Sequence, residues 1–417
     1  MKLSPKKLSG TVAAIPSKSA AHRLFIAAAL SDAPSTWTLP TSSVDIDTTL
    51  ACLKAFGVQV KREDNKVYIE PIKAIADAPT IDCMESGSTL RFLLPLSAAL
   101  GKSAHFVGRG RLPERPIADF LEVIEGLGAK TNAHKLPLDI TGPLTGKNCE
   151  LPGHVSSQYL TGLLMAAPLM ESGLDIHLTT PLQSRPYIDL TLDVLKRFGI
   201  DVEEDGTDFH VPAASRYTLP QGEHAIEGDW SNASFFLAAG AIGQSVTVTG
   251  LDLASSQGDK VIIDILEGFG AKVERGEKAI TVSPAPLMAQ EISVKEIPDA
   301  LPILSVVAAM AQGTTVFTDI ERLRLKESDR IATTTAMLEA MGIHCDSDAH
   351  TMRVTGGCLH GGATIDSAND HRIAMACAIA ASVADAPIAL TGSEAVNKSY
   401  PHFYNDFNAL GGDARVI

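Results

Sequence analysis

A short basic stretch, residues 16–30, contains the first side chains that could do chemistry. Ser17 and Ser19 are residue types that cap helices, and an Ala- and Leu-rich segment with high helix propensity follows them. Lys18 and Arg23 therefore lie at a helix start, where the helix dipole normally disfavours cations. Two cations held against that dipole indicate a bound anion that shares the site with backbone N–H groups. A solvated basic turn is the alternative, and this stretch alone leaves it open.

Three further charged segments precede predicted helices. Within residues 325–330, four charges occupy the last five positions, a pattern that solvated first turns also show. Residues 369–372 precede a strongly apolar helix, where solvated charge is harder to accommodate, so a functional role is favoured. Residues 108–116 form a glycine-rich loop with three arginines, which suits a phosphate or a carboxylate, although an ordinary surface loop is the alternative.

A helix end, a glycine and a β-like segment recur six times along the chain. The glycines are separated by 71, 71, 71, 72 and 69 residues. Glycine after a helix takes the left-handed conformation that stops the helix, so this spacing predicts six structural repeats. The glycines are Gly57, Gly128, Gly199, Gly270, Gly342 and Gly411.

Each repeat also contains a second helix that is apolar on nearly all sides and ends before a β-rich segment. Such helices must be buried, so we expect an α/β (α+β) fold with a helical core and small sheets on its surface. Capping or charged residues precede most of these helices, which concentrates chemistry at helix N-termini. A linear stack of repeats would spread these groups along its length, so two lobes of three repeats that meet at a cleft are favoured.

Composition limits the classes of partner. The net charge of −14 argues against nucleic acid on a broad basic face but permits a small anion in a local basic pocket. Six dispersed cysteines without a C-x-x-C pair predict reduced thiols in the cytoplasm, and neither a disulfide framework nor a zinc site. The N-terminus shows no apolar signal segment, and turn residues interrupt the longest uncharged run, so no membrane partner is expected.

Eight motifs, in order along the whole chain, resemble those of the 5-enolpyruvylshikimate-3-phosphate synthase family. Several are weak alone, but the ordered set is specific. They occupy residues 17–23, 87–91, 114–117, 156–161, 184–189, 326–330 and 370–375, followed by a late lysine, Lys398.

The resemblance implies a two-domain inside-out α/β barrel with three repeats in each domain. It places residues 1–12 and 228–417 in the first domain, residues 13–227 in the second, and the active site in the cleft between them. It also implies transfer of the enolpyruvyl group of phosphoenolpyruvate to the 5-hydroxyl of shikimate 3-phosphate, without a cofactor or a metal, on the route to chorismate. We expect a cytoplasmic monomer whose partners are these two small molecules.

Carried over position by position, the resemblance assigns the site residues. The shikimate 3-phosphate contacts are Lys18, Ser19, Arg23, Ser156, Ser157, Gln158, Ser184, Tyr187, Asp299, Arg322 and Lys326. The phosphoenolpyruvate contacts are Lys18, Gly87, Arg115, Gln158, Arg330, Arg372 and Lys398. Catalytic roles fall to Lys18, Asp299, Glu327, Arg91 and His371. Glu327 and Lys18 would share the proton transfers, and Asp299 would orient or deprotonate the hydroxyl.

Two positions depart from the family pattern. Glu85 replaces an asparagine near the phosphoenolpyruvate turn, so it either weakens binding of the anionic inhibitor glyphosate or caps its helix instead. Arg322 takes the position of an asparagine that contacts the shikimate phosphate, which replaces a hydrogen bond by a charge.

Two alternative functions are open on sequence grounds. UDP-N-acetylglucosamine enolpyruvyl transferases share the fold and the donor, but they usually carry a reactive cysteine in the loop that matches residues 108–115, where this chain has none. A non-catalytic repeat scaffold that binds acidic ligands would explain six repeats. It would not explain two carboxylates, Asp299 and Glu327, among the cations.

Overall fold

Helices alternate with short strands throughout residues 1–416, the part of the chain that the computed structural model describes. In chain order the α-helices are α1 (Lys18–Leu30), α2 (Val44–Phe56), α3 (Gly87–Ala99), α4 (Ala118–Gly126), α5 (Ser157–Ala166), α6 (Arg185–Arg197), α7 (Trp230–Ile242), α8 (Ile262–Phe269), α9 (Leu301–Ala309), α10 (Arg330–Ala340), α11 (His371–Ala381) and α12 (Phe403–Ala409). Short 3₁₀ helices lie at Leu112–Glu114, Ala167–Leu169, Gly258–Val261, Pro298–Ala300, Glu321–Leu325 and Ser393–Lys398.

The strands are short, with two to seven residues each. In chain order they are β1 (Lys2–Ser4), β2 (Gly10–Ala13), β3 (Ser35–Thr38), β4 (Gln59–Glu63), β5 (Lys66–Glu70), β6 (Thr80–Asp82), β7 (Ser103–Val107), β8 (Lys130–Thr131), β9 (Leu138–Thr141), β10 (Asn148–Pro152), β11 (Leu174–Thr180), β12 (Glu203–Asp205), β13 (Asp208–Val211), β14 (His224–Ala225), β15 (Val246–Thr249), β16 (Lys272–Arg275), β17 (Ala279–Ser283), β18 (Glu291–Ser293), β19 (Thr314–Thr318), β20 (Cys345–Ser347), β21 (Thr351–Thr355), β22 (Thr364–Asp366), β23 (Ile388–Thr391) and β24 (Asp413–Arg415).

The chain divides into two units. The split unit comprises Met1–Ser17 and Glu227–Ile417, and the inserted unit comprises Lys18–Ile226. Each described sheet has four strands, with one parallel and two antiparallel pairings. The inserted unit contains the sheets β14-β3-β5-β4, β6-β7-β9-β8 and β10-β11-β13-β12. The split unit contains β16-β17-β15-β2, β18-β19-β21-β20 and β22-β23-β1-β24.

Two kinds of helix alternate along the chain, as the sequence predicts. In the split unit every residue of α7, α9 and α11 is buried, and these three helices pack on one another. In the inserted unit α1, α3 and α5 are buried along most of their length. The intervening helices bury one face only, as α6 and α8 illustrate. The prediction of apolar helices inside and sheets outside is therefore confirmed within each unit.

The six repeat glycines all adopt the left-handed conformation, with φ between 77° and 114°. At Gly57 the backbone N–H donates to the carbonyls of Leu53 and Lys54, which ends α2. A Cβ at this position would lie 2.4 Å from the carbonyl oxygen of Ala74, so the turn has no room for a side chain. This geometry confirms the prediction of six repeats.

The two passages of chain between the units run side by side at the edge of the split unit. Pro16 forms a β-bridge with Gly228, and the N–H of Ser17 donates to the carbonyl of Glu227 at 2.8 Å. Because β2 also pairs with β15, residues 10–17 belong to the split unit. The units divide after residues 17 and 226, whereas the sequence placed the crossings after residues 12 and 227.

The longest uncharged run of the sequence forms the end of a 3₁₀ turn, α9 and β19. Among the helices of residues 1–416, not one combines the length and the apolar character needed to cross a membrane.

Candidate active site

Lys18 is the first residue of α1 and forms an ion pair in the inserted unit. Its Nζ lies 2.9 Å from Oδ2 of Asp45, and the two side chains are 16% and 14% exposed. Ser43 caps α2 by accepting the N–H of Ile46, which fixes Asp45 in the first helical turn. Asp45 therefore supplies a countercharge to the cation that the sequence placed against the helix dipole.

The guanidinium of Arg23, one turn further along α1, is buried and connects several helices. It donates to the carbonyls of Ser19 at 2.7 Å and Tyr187 at 3.1 Å. It also donates to the hydroxyls of Thr161 in α5 and Thr191 in α6. Burial lowers the pKa of Arg23 to about 9, so the group stays charged at neutral pH. Arg23 thus holds two predicted shikimate 3-phosphate contacts, Ser19 and Tyr187, beside one another.

The starts of α5 and α6 carry further predicted contacts. Ser156 caps α5 by accepting the N–H of Gln158 at 3.2 Å, and Ser157 is the first residue of the helix. Ser184 precedes α6 in the left-handed conformation, and its carbonyl accepts the N–H of Tyr187. These polar residues therefore occupy helix N-termini, as the sequence predicts.

Two guanidinium groups converge on Gly87, the first residue of α3. A Cβ at Gly87 would lie 2.6 Å from Nη1 of Arg91 and 2.7 Å from Nη1 of Arg115. Arg91 also donates to Oε1 of Gln158 at 3.2 Å, and Nε2 of Gln158 donates to Ser88 at 2.9 Å. Three of the predicted phosphoenolpyruvate contacts of this unit, Gly87, Arg115 and Gln158, therefore lie together with the predicted catalytic Arg91.

Glu85 does not cap α3. Ser86 does so, because its Oγ accepts the N–H of Thr89 at 3.3 Å, and the capping interpretation of Glu85 is wrong. The Glu85 carboxylate lies against the arginine-rich loop instead, since a Cβ at Gly110 would be 2.6 Å from its Cδ. Arg109 of that loop forms an ion pair with Asp82 at 2.7 Å.

In the split unit, Arg330 at the start of α10 is the centre of a buried ion-pair cluster. It donates to Asp299 at 2.5 Å, to Glu327 at 2.8 Å and to Asp370 at 3.0 Å. The side chain of Arg330 is 1% exposed. Burial opposes its charge, but the three carboxylates raise the pKa of Arg330 well above its usual value. The cluster therefore holds a fixed charge between the predicted catalytic carboxylates.

Asp299 accepts from two further cations. Its Oδ2 lies 3.1 Å from Nη2 of Arg372, and its Oδ1 lies 3.3 Å from Nζ of Lys326. Burial alone would raise the pKa of Asp299, but Arg372, Lys326 and Arg330 hold it well below the usual value. Burial lowers the pKa of Lys326 to about 8; Asp299 opposes this shift, and the charges of Arg330 and Arg322 add to it. Asp299 is therefore ionised, and Lys326 titrates just above neutral pH.

The start of α11 completes this cluster. Asp370 caps the helix by accepting the N–H of Arg372 at 2.9 Å. His371 is buried, with its Nδ1 3.8 Å from Oδ1 of Asp370. Lys398 ends a 3₁₀ helix and donates to the carbonyl of Asn369 at 2.7 Å. The predicted phosphoenolpyruvate residues of the split unit thus lie on the two helix starts and on this 3₁₀ helix.

Sequence reasoning missed two carboxylates that bind cations of the predicted site. Asp45 binds Lys18, and its only sequence signal was its place in an acidic first turn. Asp370 binds Arg330 and Ser328, and it lay inside a recognised motif without an assigned role. Across residues 1–416, no group of three or more histidine, cysteine, aspartate or glutamate side chains is arranged to hold a metal ion.

A known family matches almost the whole chain. Its sequence model, described as EPSP synthase (3-phosphoshikimate 1-carboxyvinyltransferase), aligns with residues 3–407. The chain belongs to the EPSP synthase family. A 3-phosphoshikimate 1-carboxyvinyltransferase of Clostridium kluyveri is 39% identical over 415 residues, which cover 99% of this chain and 97% of that protein. Another, from Clostridium perfringens, is 38% identical and the match covers 98% of each chain.

Solved structures agree with the assignment to the EPSP synthase family. An EPSP synthase from Acinetobacter baumannii matches with a TM-score of 0.81 at 26% identity, covering 98% of this chain and 97% of that one. The enolpyruvyl transferase NikO from Streptomyces tendae has a TM-score of 0.79 at 19% identity, which shows the fold alone. The two-domain inside-out α/β fold and the family membership that the sequence predicts are both confirmed.

Proposed function

We propose that this protein transfers the enolpyruvyl group of phosphoenolpyruvate to the 5-hydroxyl of shikimate 3-phosphate and releases phosphate. The cluster in which Asp299 and Glu327 share Arg330 carries the proposal. The reaction requires a proton for the vinyl methylene, removal of a proton from the hydroxyl, and neutralisation of two phosphorylated anions. Carboxylates and cations in one buried cluster meet these requirements together.

The donor, phosphoenolpyruvate, is assigned to cations of both units. In the inserted unit the guanidiniums of Arg91 and Arg115 meet at Gly87, on the positive end of α3. In the split unit Arg330 and Arg372 both bind Asp299, and a phosphate or carboxylate would compete for their N–H groups. The proposed donor contacts are Lys18, Gly87, Arg115, Gln158, Arg330, Arg372 and Lys398.

The acceptor, shikimate 3-phosphate, is assigned to the helix starts that Arg23 connects and to Lys326 with Asp299. Hydroxyls of Ser19, Ser156 and Ser157 suit a phosphate and the alcohol groups of a small ring. The proposed acceptor contacts are Lys18, Ser19, Arg23, Ser156, Ser157, Gln158, Ser184, Tyr187, Asp299, Arg322 and Lys326. Since donor and acceptor residues occur in both units, we propose that the two units act on the same pair of substrates.

Asp299 orients the 5-hydroxyl first and becomes a base later. Three cations hold its pKa low, so in the unliganded enzyme it is a good hydrogen-bond acceptor and a weak base. Substrate anions that pair with Arg372 and Lys326 would withdraw that stabilisation, raise the pKa of Asp299 and let it accept the hydroxyl proton. Glu327 and Lys18 share the proton transfers at the methylene carbon, and Arg91 and His371 support the two clusters.

We also propose a monomer that acts in the cytoplasm without a cofactor or a metal. The free cysteines, of which Cys52, Cys83, Cys345 and Cys377 are buried, suit a reducing compartment. Size-exclusion chromatography tests the monomeric state. Unchanged turnover after treatment with a chelator is the result expected for an enzyme that needs no metal.

Phosphate release tests the reaction directly. We expect release from phosphoenolpyruvate only when shikimate 3-phosphate is also present, and tight binding of shikimate 3-phosphate by titration calorimetry. Arg115→Ala in the inserted unit and Arg372→Ala in the split unit should each raise the KM for phosphoenolpyruvate by tenfold or more, at roughly 1.5–3 kcal/mol for a charged hydrogen bond. Release that depends on UDP-N-acetylglucosamine instead would overturn the proposal.

A further inference from the structure

A buried chain of side-chain hydrogen bonds connects three helices of the inserted unit. Nδ1 of His22 in α1 lies 2.7 Å from Oγ1 of Thr49 in α2. That oxygen lies 2.7 Å from Oγ1 of Thr89 in α3, which donates to Oγ of Ser86 at 2.8 Å. All four residues are at most 1% exposed. This hydrogen-bond chain ends at Ser86, the N-cap residue of α3.

The number of hydroxyl protons fixes which group donates and which accepts at each step of this hydrogen-bond chain. Thr89 gives its single hydroxyl proton to Ser86, so Thr49 must donate to Thr89. Thr49 then has no proton left for the imidazole, and His22 must carry its proton on Nδ1. In the described part of the chain, Nε2 of His22 is buried without a hydrogen-bond partner, which suits a bare nitrogen.

The charge state agrees with this count. Burial, followed by the charges of Lys18 and Arg23, lowers the pKa of His22 well below its usual value. The ring is therefore neutral at physiological pH and holds one proton only. The ring packs on Phe92 of α3 in a T-shaped arrangement, with ring centroids 6.4 Å apart and planes at 88°.

The chain runs beside the ion pair of Lys18 and Asp45. Lys18 and His22 are four residues apart on α1, and their partners Asp45 and Thr49 are four residues apart on α2. The Lys18–Asp45 and His22–Thr49 contacts therefore lie about one helical turn apart and join the same faces of α1 and α2. The far end of the chain caps α3 immediately before Gly87, where the guanidiniums of the donor site meet.

We propose that His22 is a positioning residue that acts through Thr49 and Thr89 to hold the capped start of α3 in register with the start of α1. This places Gly87 and its arginines for phosphoenolpyruvate, and to that extent the inference rests on the proposed function. Apolar side chains would fill the same space, but directional hydrogen bonds add a constraint on the rotation of α3 about its own axis that apolar contacts lack.

Three variants test the role. His22→Leu removes the donor, Thr49→Val removes one link at constant shape, and His22→Asn keeps an N–H near the position of Nδ1. The first two should raise the KM for phosphoenolpyruvate roughly fivefold to tenfold, the effect of one lost hydrogen bond. The kcat and the affinity for shikimate 3-phosphate should change less than about twofold. The Asn variant should restore most of the affinity.

Thr48→Val is the matched control. Thr48 is also buried, but its hydroxyl donates to the carbonyl of Val44 in its own helix at 2.7 Å. We expect an unchanged KM in this variant. If His22→Leu fails to fold, Thr49→Val and the control carry the kinetic test, because both keep the side-chain shape.

A spectroscopic readout is independent of turnover. ¹⁵N NMR of the full chain should show His22 protonated at Nδ1 and bare at Nε2 throughout the neutral range. In Thr49→Val, the backbone amide of Thr89 should shift because its cap is disturbed. An Nε2–H tautomer, an Asn variant as impaired as Leu, or an unchanged KM in Thr49→Val would overturn the inference. Failure of the wild type to use phosphoenolpyruvate would instead overturn the proposed function and leave the NMR result standing.

Discussion

The two units hold the predicted site arginines Arg23 and Arg330 in different ways. In the inserted unit, Arg23 donates to carbonyl and hydroxyl oxygens, and Arg91 donates to two carbonyls and an amide oxygen. In the split unit, Arg330 donates to three carboxylates, and Arg372 forms an ion pair with one of them. Neutral acceptors position a cation without cancelling its charge, whereas carboxylates position it and cancel it.

This difference separates two tasks. In the inserted unit, Arg23 is positioned by neutral oxygens and offers positive charge that a substrate anion can neutralise. The split unit offers carboxylates whose proton affinity depends on the surrounding cations, which suits proton transfer. We therefore expect substitutions of Arg330 and Glu327 in the split unit to affect folding and turnover most, and substitution of Arg23 in the inserted unit to affect substrate affinity.

The largest effect is expected for Arg330→Met, which keeps the aliphatic stem and removes the charge. Three carboxylates then lose a common partner, and breaking a buried ion pair from one side costs about 3–5 kcal/mol of unfolding free energy. Chemical denaturation of the full-length protein measures this loss of unfolding free energy. The control is Arg275→Met, because Arg275 also binds two carboxylates but at the surface. There we expect about 1 kcal/mol or less, and equal losses in both variants would contradict the contrast.

Glu327→Gln should lower kcat on the order of 10²-fold or more, because the amide keeps the hydrogen bond with Arg330 but has no transferable proton. The affinity for both substrates should change much less. Steady-state kinetics and titration calorimetry separate the two effects. Glu321→Gln, in the neighbouring 3₁₀ helix and exposed, serves as control. Retained turnover in Glu327→Gln would remove the proton-transfer role.

The pH dependence of acceptor binding tests Lys326. Its pKa is lowered to about 8, so the ammonium loses its proton as the pH rises through that value. If the charge binds shikimate 3-phosphate, the dissociation constant should rise roughly tenfold per pH unit above about 8. Lys326→Arg keeps its charge at these pH values and should flatten the profile. A flat profile in the wild type would contradict the assignment.

The smallest effect is expected at Glu85. Its carboxylate lies against Gly110 of the arginine-rich loop, and Glu85 is two residues before Gly87, so we expect it to repel an anion bound near Gly87. Screening by Arg91 and Arg115 reduces the cost to ~1 kcal/mol, or several-fold in affinity. Glu85→Asn should tighten glyphosate inhibition several-fold with a nearly unchanged KM for phosphoenolpyruvate. Glu114→Gln, an exposed change in the same loop, should have no effect. An equal change in both variants would mean that the net charge of the protein, and not the position of Glu85, determines the strength of glyphosate inhibition.

Local signals explain how much of the fold could be predicted from sequence. Gly57 and its five counterparts end helices through their own conformation, so their spacing was readable without any knowledge of tertiary contacts. The apolar character of α7, α9 and α11 could equally be recognised from their own residues, without knowledge of tertiary contacts. The same holds for the helix starts that carry Ser156 and Asp370.

Contacts between distant residues explain what could not be predicted. Arg23 binds Thr161 and Thr191, which lie 138 and 168 residues away along the chain. Nothing in the sequence beside Lys18 indicates Asp45 as its partner. The crossing after residue 17 was also missed, because it depends on the pairing of β2 with β15 and on the bridge at Gly228. The resemblance to a family assigned the substrate contacts, but it said nothing of these supporting residues.

The pairing of β1 has a consequence for synthesis on the ribosome. This strand lies between β23 and β24, so its neighbours are translated long after it. The inserted unit, by contrast, is complete once residue 226 has been made. At typical elongation rates of ~5–20 residues per second, β1 stays without these partners for roughly 10–40 s after the inserted unit has been completed. A nascent chain halted before residue 388 would therefore hold a folded inserted unit and an unpaired β1 edge.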